Sequence, residues 1–337
     1  MNREIVHLFE CSYCSKKYQL QEFEIDENDK LKEGVFSCNS CNLWYPISNG
    51  IADFLPYGLS NNEKKEFFSK KWNIDPEPFA SHEDSEVIAD KKKQIEFFNE
   101  DTHIYDDNME CTPFWKANDW NCLKDWLYEL VPEHTLLDVG CGTGRASTPF
   151  AKNGVKVIGL DISEEMVIRA KRKSESLGLI DNTDYVVGDS ENLPFATNSF
   201  DAVLAFGVLH HVPSPQRMLQ QMSRVLKNNG FYFGHENNKT VFRPLFDLLM
   251  KFSRLWIEEA GNHPLISISE LKKWSVNADI NMSIKSSVFL PPHLLNFLNF
   301  STAKKVIYFS DKFLNLIPFI RNNGGVLVIK GRKTNSD

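Results

Sequence analysis

Seven cysteines occur in the 337 residues, and four of them form two pairs, Cys11-Ser-Tyr-Cys14 and Cys38-Asn-Ser-Cys41. Two residues between thiols let one tight turn aim both sulfurs at a single ion. Two such turns close a tetrahedron, the geometry of structural zinc. With all four positions filled by cysteine, no position stays open for catalysis. Unliganded or redox-active cysteines are the alternative. Cys111, Cys122 and Cys141 are single. This distribution is not a disulfide framework and fits a reducing compartment.

A second stretch, "LLDVGCGTGRAS" at 136–147, sets Gly140, Gly142 and Gly144 behind an apolar run and Asp138. A glycine turn after a strand lets backbone approach a nucleotide-like ligand. The spacing is G-x-G-x-G, not the G-x-G-x-x-G/A of dinucleotide sites. Further on, "VKVIGLD" ends in Asp161 and "DYVVGD" in Asp189, and "FDAVLAFGVLHHV" carries Phe206, His210 and His211. A carboxylate at Asp161 can accept both hydroxyls of an adenosine ribose; one at Asp189 can accept from an adenine amino group.

The elements that must hold these residues follow from periodicity. Apolar strands are expected at 135–139, 155–161, 184–189, 200–206 and 231–236. They alternate with helices after Gly144, over 163–178 with Ser163 as N-cap, and over 215–230 up to Gly230. Alternation of this kind makes an open parallel α/β sheet with ligands at the carboxyl ends of its strands. A helix over 114–130 carries a core stripe of Trp120, Leu123, Trp126, Leu127 and Leu130. A second reading has Tyr105, Phe114 and Trp115 close over the ligand. A further helix is expected over 243–259 and a strand over 282–289.

"LLDVGCGTG", "GLDIS", "GDSENLPF" and "FDAVLAFGVLHHV", in this order, resemble the motifs of class I S-adenosylmethionine-dependent methyltransferases, nearest the ubiquinone-biosynthesis branch. The resemblance covers 115–237, with "GGVLVIKGRK" (324–333) as the closing strand. It implies a Rossmann-like sheet with helices on both faces, S-adenosylmethionine as cofactor and S-adenosylhomocysteine as product. It also implies residue roles. Gly140 and Gly142, with Gly144 in the same turn, bring backbone to the methionine part. Asp138 holds the loop and contacts the amino group. Asp161 takes the ribose, Ile162 packs on the adenine, and Asp189 and the Ser190 backbone read its edge. Phe206 lines the methionine end. Methyl transfer from a sulfonium is an in-line displacement, so alignment and exclusion of water come first. A base is needed only if the acceptor must lose a proton. His210 and His211 are the candidates, with one of the two facing the pocket. His235 and Glu236 either reach the acceptor or stand in a solvated turn.

The cysteine pairs followed by Tyr-Pro-Ile and Gly-Ile in "LWYPISNGIADFLP" resemble the Trm112-like zinc-ribbon family, whose members are commonly partners or appendages of methyltransferases. The expected division is a zinc ribbon at 1–57, a helical linker at 58–114 and a methyltransferase domain at 115–337, with a helical insertion at 289–322. The net charge of −7 is uneven: 1–57 holds five basic and nine acidic residues, and 240–337 thirteen basic and seven acidic. An acidic ribbon is a poor phosphate-backbone binder. A small acceptor is therefore expected, lipophilic if the greasy insertion forms a lid. The region 240–322 also reads as a contact for an anionic membrane surface, or as helices burying one face in the core. The alternatives are an rRNA, tRNA or protein methyltransferase that uses the ribbon for recognition, and a non-catalytic cofactor-binding scaffold. "MNREIVHLFE" lacks the apolar core of a signal peptide, and no run reaches the ~18 apolar residues of a spanning helix, so the expected setting is cytoplasmic, peripheral at a membrane if the insertion docks.

Overall fold

The computed structural model describes residues 1–74, 84–241, 265–290 and 292–334. The helix expected over 243–259 lies outside them, as does the side chain of Tyr105. The strands are β1 (Gln19–Ile25), β2 (Leu31–Cys38), β3 (Leu43–Ser48), β4 (Ile51–Asp53), β5 (Thr135–Val139), β6 (Lys156–Asp161), β7 (Thr183–Val187), β8 (Phe200–Phe206), β9 (Leu226–Asn237), β10 (Ile280–Ser287) and β11 (Val326–Lys333). They form one sheet in the order β1-β2-β3-β4-β7-β6-β5-β8-β9-β11-β10. From β7 to β9 every pairing is parallel, and β11 runs antiparallel between β9 and β10. The central strands are apolar along nearly their whole length because helices cover both faces. Leu136, Leu137, Val157, Val203 and Leu204 are buried accordingly.

The cysteine module is welded to this sheet. β4 pairs in parallel with β7, Ala52 opposite Val186 and Asp53 opposite Val187. Behind the seam, Phe9 stacks on Phe195 at 5.1 Å and packs on Phe36 and Phe54. One aromatic core thus serves both parts.

The helices are α1 (Asn62–Trp72), α2 (Ser85–Cys111), α3 (Pro113–Trp126), α4 (Thr148–Lys152), α5 (Glu164–Ser176) and α6 (Pro215–Val225), followed by Ile268–Asn277, Pro292–Leu295 and Phe300–Leu314. Ser163 caps α5 by accepting from the Met166 amide. Three helices fall well short of what their periodicity predicts, and the first, α3, expected to run to 130, ends at Trp126. α4 begins only at Thr148, because the glycines before it hold positive φ and Pro149 sets its first turn. α6 stops at Val225, not at Gly230. Ser199 and Asn198 donate to the carbonyls of Val225 and Arg224, and Leu226 already pairs with Phe200. Strand pairing wins over helical propensity there.

In the predicted stripe on α3, Leu123, Trp126 and Leu130 are buried but Trp120 is 38% exposed, with the ammonium of Lys304 4.2 Å from its ring centre. Lys304 belongs to Phe300–Leu314, which buries Ala303 and Ile307 with Phe114 and Ala117 of α3. Among the described residues, no helix is long and apolar enough to cross a membrane.

Candidate functional site

The glycine turn closes strand β5. Gly140, Gly142 and Gly144 take φ of +71°, +51° and +74°, the left-handed region that side chains disfavour. A Cβ on Gly140 would meet the Val208 side chain at 2.3 Å. The amides of Gly140 and Cys141 donate to the Leu160 carbonyl at 2.8 and 3.0 Å. Asp161 completes the brace: its Oδ2 accepts from the Gly142 amide at 2.8 Å and its Oδ1 from the Ser163 amide at 2.9 Å. This bracing role is additional to the ribose contact expected from the sequence.

Asp138 lies inside the turn, 1% exposed. Among the described residues, neither carboxylate oxygen has a hydrogen-bond partner, and neither does the nearby Ser147 hydroxyl. Burial pushes the Asp138 carboxyl up to about 7, and the charge of Asp161 adds to the rise. Ser147, close but outside hydrogen-bonding geometry, and the Arg145 charge pull the other way. A buried, unpaired acid costs stability unless a cation or donor meets it.

Asp189 closes the loop after β7, and a lysine is already on it. Lys91 of α2 donates to Asp189 Oδ2 at 2.8 Å and lies 3.0 Å from Glu191. Asp189 also accepts from the amide of Glu191 and the side chain of Asn192. Ser190 is buried beside it. α2 continues across the strand ends. Ile88 and Ile95 pack near Ile162 and Cys141, Asn99 accepts from the Ser163 hydroxyl at 2.6 Å, and the Phe98 ring stands edge-on to His211 at 5.2 Å. A segment expected to be linker is thus the cover of the crevice.

On the other side of β5, Glu236 at the end of β9 is fully buried. Its Oε1 accepts from the amides of Val208 and Leu209 at 2.9 and 2.7 Å, and its Oε2 accepts the hydrogen bond of His210 Nδ1–H at 2.6 Å. The two histidines therefore differ: His210 is buried on Glu236, and His211 is half-buried against α2. Phe206 stacks on His235 at 4.5 Å with ring planes 12° apart. The Arg145 guanidinium, paired with Asp119, lies over the rings of Trp115 and Phe206. The structure thus gathers Asp138, the three glycines, Asp161, Ile162, Phe206 and His210 around the carboxyl ends of β5, β6 and β8. Lys91, Asn118 and the reach of α2 had no local signal in the sequence; His235 and Glu236, for which a solvated turn was one reading, are instead buried.

In the N-terminal module, the four thiols of Cys11, Cys14, Cys38 and Cys41 lie within 4.8 Å of one another. Cys14 and Cys38 are 3.5 Å apart and Cys11 and Cys41 3.8 Å. Zinc–sulfur bonds of about 2.3 Å in a tetrahedron set edges of about 3.8 Å. Ser15 and Asn42, just after each pair, take φ of +55° and +51°, which closes each turn around the sulfurs. The donor set fits one tetrahedral ion.

Residues 137–234 match the family described as "Methyltransferase domain". Over 141 residues the chain is 36% identical to the demethylmenaquinone methyltransferase of Renibacterium salmoninarum, covering 42% of this chain and 56% of that one. Over 130 residues it is 39% identical to a sterol 24-C-methyltransferase of Gibberella zeae, covering 38% and 34%. The chain thus spans less than two thirds of the length of these relatives. A solved S-adenosylmethionine-dependent methyltransferase of Thermotoga maritima shares the fold, with a TM-score of 0.50 at 20% identity over 71% of this chain and 99% of that one. Sheet order, ordered motifs and family match agree: residues 137–234 of this chain carry a methyltransferase domain on a Rossmann-like class I sheet.

Proposed function

We propose that the protein transfers a methyl group from S-adenosylmethionine to a small, lipophilic acceptor, and that its N-terminal cysteines hold a structural zinc. The observation that carries the cofactor reading is Asp138: a buried carboxylate with no partner among the described residues, inside a glycine turn too tight for side chains. A ligand with an ammonium group and a sulfonium suits such an acid. In this reading Asp138 takes the amino group and the backbone of Gly140–Gly144 runs along the methionine part. Asp161, already braced by two amides, keeps lone pairs for the ribose. Ile162, under α2, packs on the adenine, and Phe206 closes the methionine end. Asp189 and Ser190 read the adenine edge only beside the Lys91 contact.

The bound cofactor supplies an activated methyl group, so the protein's task is alignment and dryness. α2 and the buried aromatic wall exclude water. Where the acceptor is a hydroxyl, His210 is the group that takes its proton. Glu236 holds the Nδ1 proton, which makes Nε2 the basic nitrogen. His211, turned to α2, is a cover residue.

The relatives named for a quinone and a sterol substrate support a lipophilic acceptor. So does the exposed apolar surface of the insertion, where Phe297, Phe313, Leu316 and Phe319 stand in solvent, Phe319 at 90% exposure. Lys304, Lys305, Lys312 and Arg321 run through the same surface, the composition of a peripheral contact with an anionic membrane. The domain division 1–57, 58–114 and 115–337 remains useful, with the first part read as a ribbon built onto the sheet edge.

The test has two steps. Calorimetry should show one S-adenosylmethionine site. Incubation with labelled cofactor and a lysate, followed by partition, should then place label in the organic phase. No cofactor binding by folded protein overturns the enzyme reading; label confined to protein or RNA overturns the acceptor class.

A further inference from the structure

In the methyltransferase reading, Asp138 meets the amino group of the cofactor, and the carboxylate on the same carbon still needs a partner. Because one carbon bears both groups, that partner must stand close to Asp138. An ionised carboxylate that leaves water also needs charge-assisted donors, so the partner should be a cation. Lys91 is committed elsewhere, to Asp189 and Glu191.

Arg145 meets these conditions. It follows Gly144 directly, in the turn that precedes α4. Its guanidinium lies 5.3 Å from the ring centre of Phe206, the residue expected at the methionine end, and 5.6 Å from that of Trp115 on α3. Its charge is felt at the Asp138 carboxyl, where it opposes the upward push of burial. Asp119, also on α3, pairs with Nη1. The side chains of Arg145 and Asp119 keep 12% and 14% of their surface open to solvent, so the pair stands in the wall of the crevice and is reachable from outside.

A guanidinium carries five N–H donors in a planar fork and can serve more than one carboxylate. Asp119 fixes one end of that fork, and the rings of Trp115 and Phe206 restrict its swing. A rotamer-rich side chain is thereby ordered before a ligand arrives, which lowers the entropy cost of binding. An ion pair this withdrawn from water contributes little to stability by itself.

We infer that Arg145 binds the carboxylate at the methionine end of the cofactor, with Asp119, Trp115 and Phe206 holding the guanidinium in place. This rests on the methyltransferase reading and deepens it: Asp138 and Arg145 read the two halves of one zwitterion. The consequence is a specificity. A cofactor analogue without the carboxylate carries more positive charge, which Asp138 and Asp161 would favour; Arg145 reverses that preference.

The full chain is titrated by calorimetry with S-adenosylmethionine and with decarboxylated S-adenosylmethionine, beside Arg145→Gln. The wild type should bind the carboxylated ligand at least about tenfold more tightly. Arg145→Gln should lose about tenfold in affinity for S-adenosylmethionine and hold its affinity for the decarboxylated form within about twofold, so that the preference disappears. The charge-keeping variant Arg145→Lys should show an intermediate preference, which decides the matter if Arg145→Gln does not fold. A wild type indifferent to the carboxylate overturns the inference. So do variants that weaken both ligands by the same factor, which marks Arg145 as a tie between α3 and the glycine turn. A folded wild type that binds neither ligand overturns the methyltransferase reading instead, so the two failures are distinguishable.

Discussion

At the residue scale, Asp138 decides how the site responds to pH. Its carboxyl is held up at about 7, first by burial and then by the charge of Asp161. A cationic amino group binds the ionised form. The sign follows from linkage: below pH 7 the proton must leave before binding, so affinity falls by about tenfold per pH unit, and above pH 7 it levels off. Binding near pH 7 should release protons, which calorimetry in buffers of different ionisation heat detects. Asp138→Asn should weaken S-adenosylmethionine binding and flatten the pH dependence. A slope that persists in Asp138→Asn would assign the titration to another group.

At the scale of elements, α2 carries the site's cover, and Lys91 is its anchor. This ammonium sits between Asp189 and Glu191, all three buried. Removing one partner of a buried ion pair costs ~3–5 kcal/mol because the others stay charged and dry. Lys91→Met should lower the denaturant midpoint accordingly. Amides at 88–99 should lose exchange protection while β5 to β8 keep theirs; unchanged protection in α2 would refute the anchor. The same helix marks where sequence reading stops. In "ADKKKQ" nothing separates Lys91 from Lys92 and Lys93, yet the first is buried and the others exposed. Its partners lie 98 and 100 residues away, beyond any local pattern. Asp138, the glycines and Asp161 were legible because turn, strand and acid are neighbours in the chain. The end of α6 was not: its helical period runs on to Gly230, and only pairing with β8 cuts it at Val225. The exposure of Trp120 also depends on a distant element, the lysine-bearing helix of the insertion.

At the scale of the whole molecule, the N-terminal module and the methyltransferase domain should unfold together. The alternative, a ribbon tethered as an independent appendage, requires separate cores. Phe9 precedes Cys11 by two residues and stacks on Phe195, while β2 ends at Cys38 and β4 completes the edge of β7. The four-cysteine cage thus pins the chain segments that cover this edge. Structural zinc contributes folding free energy directly, because its thiolate cage does not survive unfolding. Chelation, or Cys38→Ser, should therefore lower one shared thermal transition by about 4–7 °C, the shift expected for about 3–5 kcal/mol in a chain of this size. Calorimetric scans with and without chelator check this. Two separated transitions, the upper one insensitive to chelator, would show independent cores. Deleting residues 1–57 should be harsher still, since it bares the β7 edge with Val186 and Val187 and uncovers Phe195. An exposed apolar strand edge of this kind pairs with other chains, so the truncated protein should appear in aggregates on size-exclusion chromatography.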